Sequence, residues 1–205
     1  MIVAPRSIGV LASGRGTNLQ AIIDGALGGE FAGRVAVLIS DRRSAPALER
    51  ARQAGIPAVW VSKKQAGGQE AFETNIVALL EEHRVDVVCL AGFMRVLTPA
   101  FVSRFPGRIL NIHPALLPSF PGLAAQKQAL DYGVKISGCT VHFVSKDVDA
   151  GPIILQAAVP VLDGDTEESL SERILVEEHK IYVRALKLLC EGRLQIIGNR
   201  VHTIS

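Results

Sequence analysis

The strongest constraint on this chain is an alternation. Short, nearly uninterrupted apolar runs at 7–12, 34–40, 57–61, 85–90 and 107–112 are separated by stretches with helical spacing. The stretch 69–83 shows it best, with Phe72, Ile76, Leu79 and Leu80 along one stripe. Helices are also expected from near Thr17, over 47–53 and over 98–104. Apolar runs without polar alternation suit strands buried on both faces, and strands joined through helices run parallel. The pattern therefore predicts an α/β fold: a mostly parallel, doubly wound, Rossmann-like sheet flanked by helices on both faces.

After Gly122 the pattern changes. A short helix over 125–132 is followed by two strands, 136–144 and 153–161, joined by S-K-D-V-D-A-G-P. These read as a hairpin-type pair, so the sheet is expected to be mixed at its C-terminal end. Asp165 with Glu168 three residues on reads as the capping-box start of a helix running to about 191. The runs 194–197 and 201–204, joined through Gly198 and Asn199, read as a closing hairpin.

At 205 residues, with 48% apolar and 20% charged residues, the chain can bury the core of a single domain, 1–205. A net charge of +2 argues against nucleic acid or an anionic membrane as partner. Three widely spaced cysteines, Cys89, Cys139 and Cys190, form neither a disulfide framework nor a zinc pattern, which points to a reducing cytoplasm. Pro5 and Arg6 interrupt the N-terminal region, so neither a signal peptide nor a membrane span is expected there.

Ligand sites in parallel sheets lie beyond the carboxyl ends of the strands. Three polar or glycine-bearing loops fall at such ends. The first, Ser13-Gly14-Arg15-Gly16-Thr17-Asn18, follows a strand and opens a helix. Its glycines admit close backbone approach, and the N–H groups of a helix start favour an anion such as phosphate. Leu19 stands where a dinucleotide fingerprint has its third glycine, and no Gly-Lys-Ser/Thr follows. Asp41, ending the second strand, keeps a ribose-binding role for a dinucleotide as the competing reading; a plain turn is the other.

The second is I-L-N-I-H-P-A-L-L-P-S-F-P-G, residues 109–122. Asn111 and His113 lie two apart and project to one side of a strand. A neutral amide donor stabilises the oxygen of a carbonyl under attack, and an imidazole supplies or takes a proton near neutrality. Pro114, Pro118 and Pro121 stiffen the loop that follows. The third, Gly92 to Leu97, follows the fourth strand, and Phe93 and Met94 there suit either a flat apolar ligand or the core.

Two carboxylates complete the candidates. Asp149, in K-D-V-D-A-G-P, could orient an imidazole, and Asp147 competes with it. Glu178 has Ile174, Ile181 and Tyr182 as its helical neighbours, so it faces inward and needs either a ligand amine or a buried protein hydrogen bond. His83, His113, His142, His179 and His202 show no paired metal spacing, so no metal is expected, and no G-x-S-x-G supports a nucleophilic serine. His142 is expected to be packed or hydrogen-bonded within its strand.

Taken together, V-L-A-S-G-R-G-T-N-L-Q-A-I, L-A-G-F-M-R-V-L, L-N-I-H-P-A-L-L-P-S-F-P-G and H-F-V-S-K-D-V-D-A-G-P-I-I resemble the folate-dependent formyltransferases. The first segment is similar to the branch acting on phosphoribosylglycinamide in purine biosynthesis, and the resemblance spans about residues 8 to 194. It implies formyl transfer from 10-formyltetrahydrofolate, a co-substrate, to the glycinamide amine, with small molecules as partners, no metal, and a monomer or homodimer. It implies Asn111, His113 and Asp149 as the catalytic trio, choosing Asp149 over Asp147. Gly16, Thr17 and Asn18 would hold the substrate phosphate and Glu178 would face its amine. Met94, Arg95, Val96, Leu97, Asn111, Ser145, Lys146, Asp147, Val148 and Asp149 would frame the folate. Residues 1–105 would form a phosphate- and nucleotide-binding half, and 106–205 a folate-binding and catalytic half. The chain departs from the pattern at Gln69, where a basic residue is common, and at Ala124 and Gln126, within a stretch that often carries histidines. A formyltetrahydrofolate hydrolase, a transferase with another amine acceptor and a non-catalytic nucleotide-binding module are the alternatives.

Overall fold

The apolar run after Pro5 forms the first strand, β1 (Arg6–Leu11), in which every residue after Arg6 is buried. Such a strand satisfies its backbone only between two neighbours, and it has them: β2 (Gly33–Ser40) on one side and β4 (Val87–Leu90) on the other, both parallel to it. The edge beyond β2 is β3 (Ala58–Trp60), again parallel. The computed structural model describes residues 5–204, and the expectation about the N-terminus lies in part outside them. Helices α1 (Thr17–Leu27), α2 (Pro46–Gln53), α3 (Lys63–Ala66), α4 (Gln69–Glu82) and α5 (Pro99–Arg104) connect the strands. The turn α3 has no apolar periodicity to announce it; it exists because the Ser62 side chain accepts from the Gln65 amide.

The chain divides into two compact units, between Leu110 and Asn111. The division falls inside β5 (Ile109–His113), a strand that reaches one residue further than its apolar run and so includes His113. The second unit adds α6 (Ala125–Tyr132), β6 (Ile136–Phe143), β7 (Ile153–Pro160), α7 (Glu167–Cys190), β8 (Leu194–Ile197) and β9 (Arg200–Thr203). Strand order in the first unit is β3-β2-β1-β4, and in the second β5-β6-β7-β9-β8. The pair β6 and β7 is antiparallel, as is β8 with β9, whereas β7 and β9 run parallel. The fold is thus α/β, mostly parallel, helix-flanked and antiparallel toward its C-terminal end.

The start of α7 corrects one expectation. The capping box is made by Thr166 and Ser169, each side chain bonding the other's backbone amide, and not by Asp165 and Glu168. Asp165 takes a bidentate pair from Arg173 at 2.7 and 2.8 Å and the Leu162 amide at 2.7 Å. The Arg173 guanidinium holds its carboxyl far below the usual carboxylate range. A carboxylate one residue before the cap is therefore used to fasten the entering loop. No helix among the described residues is long and apolar enough to cross a membrane. Because Thr166 supplies the cap, Thr166→Ala is expected to lower unfolding stability by about 1 kcal/mol in chemical denaturation.

Candidate active site

The polar end of β5 is held from several directions within the second unit. The ring of His113 is buried, and its Nε2 lies 2.8 Å from the carbonyl oxygen of Phe120, so Nε2 carries a proton and donates it there. The other nitrogen, Nδ1, lies 3.4 Å from Asp149 Oδ2. Burial lowers the pKa of His113 below its ordinary value; the Phe120 carbonyl and the Asp149 charge oppose this without overcoming it, and His142 adds to it. The resting imidazole is therefore neutral at pH 7, with its Nδ1 lone pair toward the carboxylate.

Asn111 is set by a second histidine. His142 Nδ1 donates to the Phe143 carbonyl at 2.9 Å, which leaves Nε2 as an acceptor. Asn111 Nδ2 lies 3.1 Å from that Nε2 and donates to it, and reaches Asp149 Oδ1 at 3.4 Å. One amide nitrogen thus faces both His142 and Asp149. His142 is packed and hydrogen-bonded as its strand suggested, but its orienting role was missed. The available signal was Thr140 and His142, two polar residues two apart toward the end of a mainly apolar strand, repeating the spacing of Asn111 and His113.

Asp149 sits at φ 51°, in the left-handed region. Burial pushes its pKa up, but His142, the Gly122 amide at 2.8 Å and the charge that His113 carries once it is protonated in acid outweigh that, and the net direction is down. Asp149 is ionised at neutral pH. The competing Asp147 is exposed, and its carbonyl accepts from the Ser145 hydroxyl at 3.0 Å in a local turn. The exposed Lys146 and Val148 complete this loop. Gly151 closes it under a severe limit, since a Cβ there would lie 1.8 Å from the Phe143 carbonyl oxygen.

The proline-rich loop is braced by strand side chains as well as by its own rings. The Thr140 hydroxyl donates to Ala115 O at 2.7 Å and accepts from Leu117 N at 3.0 Å. Gln156 Nε2 donates to Leu117 O at 2.9 Å. Further on, Phe120 and Ala124 both adopt positive φ, a conformation costing about 1–2 kcal/mol for a residue with a Cβ. Gln126 is half-buried on α6. Glu178 is buried on α7 between Ile174, Ile181 and Tyr182, as its spacing predicted. With burial, its charge raises the Cys139 thiol to about 12, leaving that cysteine an inert core residue.

The first unit holds the other predicted residues. Gly16 is the N-cap of α1 in the left-handed region, and no side chain caps that helix. The position tolerates only glycine on two grounds: φ is 75°, and a Cβ would lie 2.7 Å from that of Ala47. The loop before it rests on α2, through Ala47 N to Gly14 O at 3.2 Å and Arg50 Nε to Arg15 O at 2.9 Å. Thr17 opens the helix and Asn18 is buried beside it.

Met94 and Val96 are exposed, whereas Leu97 is buried. Asp41 is not available to a ribose: its carboxylate takes Arg95 Nε at 2.7 Å, so the basis for the dinucleotide reading is gone. Gln69 is likewise engaged inside the protein, with Glu73 and the Val96 carbonyl. Among the described residues no group of three or more His, Cys, Asp or Glu could hold a metal ion.

The α/β sheet, mostly parallel with an antiparallel C-terminal end, agrees with what comparison finds. The chain belongs to the formyl transferase family, whose model matches residues 6–186. Its branch is that of the phosphoribosylglycinamide formyltransferases. The Escherichia coli (strain K12) protein of that name is 45% identical over 94% of this chain and 91% of its own length. The crystal structure of glycinamide ribonucleotide transformylase 1 from Symbiobacterium toebii superposes with a TM-score of 0.97 at 57% identity, covering 98% of this chain and 95% of that one. The Bos taurus trifunctional purine biosynthetic protein adenosine-3 is 49% identical over 94% of this chain; the chain spans only 19% of that longer protein.

The lowered pKa of His113 has a consequence for stability. Between its folded value and 6.5 the unfolded chain binds the proton more tightly, so the stability of the neutral ring is complete above 6.5 and is lost as pH falls through the folded value. Asp149, also lowered, acts only below its ordinary value of 3.8, a separate window. The denaturation midpoint is expected to fall more steeply between pH 7 and about 5 in the wild type than in His113→Gln, measured by urea titration.

Proposed function

We propose that this chain transfers the formyl group of 10-formyltetrahydrofolate to the primary amine of 5′-phosphoribosylglycinamide, releasing formylglycinamide ribonucleotide and tetrahydrofolate. The observation that carries the reading is the buried cluster of Asn111, neutral His113 and ionised Asp149, and the names of the relatives support it. The amine nitrogen bonds to the formyl carbon, the bond from that carbon to N10 of the folate breaks, and the amine proton is finally returned to N10.

Asn111 stabilises the oxyanion. Both its amide hydrogens have acceptors in the resting site, and the contact to Asp149, at 3.4 Å, is the longer and is the one exchanged for the developing oxygen. His113 cannot use Nε2 without losing the Phe120 carbonyl, so Nδ1 takes up the proton, beside Asp149, which stabilises the imidazolium formed. Gly16, Thr17 and Asn18 receive the substrate phosphate at the uncapped start of α1. Glu178 attracts the amine. Met94, Arg95, Val96 and Leu97, with Asn111 and Ser145 to Asp149, frame the folate. Residues 1–105 act as the phosphate- and nucleotide-binding half and 106–205 as the folate-binding and catalytic half. The partners are small molecules, without nucleic acid, membrane or metal. The proposed setting is the cytoplasm, as a monomer or homodimer, in keeping with three free, buried cysteines.

The test is a formylation assay with purified chain, folate donor and phosphoribosylglycinamide. Asn111→Ala is expected to lower kcat by roughly 10²–10³. For His113→Ala the expected loss is about 10²–10⁴. Near wild-type turnover in either variant overturns the assigned role. Formate release at full rate without the amine acceptor would make the chain a hydrolase instead.

A further inference from the structure

The loop from Gly92 to Thr98 presents Met94 and Val96 to solvent at 57% and 66% exposure. A loop whose apolar side chains are reserved for a ligand has to be held by its backbone. At its start the Ser13 hydroxyl accepts from Met94 N at 2.9 Å, and Ser13 N donates to Gly92 O at 3.0 Å. At its end two side chains of α4, one helical turn apart, take over. Gln69 Nε2 donates to Val96 O at 3.3 Å and to Glu73 Oε1 at 2.6 Å. Glu73 Oε1 also accepts from Thr98 N at 2.8 Å, and Oε2 accepts from the Thr98 hydroxyl.

Glu73 is only 5% exposed, and a carboxylate is costly to bury. Among the described residues its carboxylate accepts three hydrogen bonds, one from Gln69 and two from Thr98, so the donors it gathers are the loop's exit and the residue that grips Val96. Capping α5 does not require it: Thr98 Oγ1 itself accepts from Phe101 N at 3.3 Å. What the carboxylate adds is a fixed path for the backbone from 96 to 98.

We infer that Glu73, acting with Gln69, is a positioning residue that sets the folate-facing loop of this enzyme. The inference rests on the proposed role of Met94 to Leu97. Pre-ordering a loop lowers the entropic cost of binding the ligand that needs it, so the effect belongs in the affinity for one substrate and not the other.

Glu73→Gln removes one acceptor and Gln69→Ala removes the grip on Val96. The expected result is a KM for 10-formyltetrahydrofolate raised about tenfold in Glu73→Gln and about threefold in Gln69→Ala, with kcat and the KM for phosphoribosylglycinamide changing less. Hydrogen exchange over 93–98 is expected to quicken in both. Unchanged exchange overturns the clamp, and quickened exchange with an unchanged folate KM reduces it to a structural tie and overturns the inference. A loss shared equally by both substrates also overturns it. Gln69→Ala keeps the question decidable should Glu73→Gln fail to fold. A wild type that does not formylate sinks the proposed function, and exchange in the variants then separately decides whether α4 orders the loop.

Discussion

A nearly dehydrated carboxylate governs the polar chemistry of the second unit. The side chain of Asp149 is 10% exposed, and N–H donors stand in for the water it has lost: the Gly122 amide and the Asn111 side-chain amide. Losing water makes such a group costly unless donors replace it, and the same loss strengthens every contact that remains. Removing the charge would free each partner in turn.

Beside that charge the main chain sets the tautomers. His142 gives its Nδ1 proton to the Phe143 carbonyl and so offers Nε2 to Asn111; His113 gives its Nε2 proton to Phe120 and so turns Nδ1 toward the aspartate. Two main-chain carbonyls thus select two opposite tautomers a few residues apart in space. The proline-rich segment contributes less through ring stiffness alone than its composition suggests, because Thr140 and Gln156 fasten Ala115 and Leu117 to the strands beneath. In the first unit the same economy is seen: Ser13, Asp41, Gln69 and Glu73 spend their polar groups on the loop after β4, and Met94 and Val96 are left outward.

The features legible along the chain were those set by neighbours in sequence. The apolar runs named the strands within a residue or two, and the period-two spacing of Asn111 and His113 put both polar groups at one strand end. The inward aspect of Glu178 followed from helical spacing with Ile174 and Tyr182. Glycine at 16 was visible as a turn, although its contact with Ala47 was not. What failed were choices among adjacent polar residues. Asp165 looked like the cap because a carboxylate three before a glutamate fits the pattern, but Arg173, two turns further on, claims it and leaves the cap to Thr166.

By itself the sequence determined the α/β alternation, the mixed C-terminal end, the family and the list of candidate groups, because each rests on local periodicity or on residues in fixed succession. Only the tertiary structure decided which nitrogen of His113 carries the proton, that Asp41 belongs to Arg95, that His142 orients Asn111, and that Glu73 holds a loop 25 residues away in sequence. The reason is physical: protonation state and hydrogen-bond partner depend on distance and burial, and those are properties of side chains brought together by the fold from distant parts of the chain.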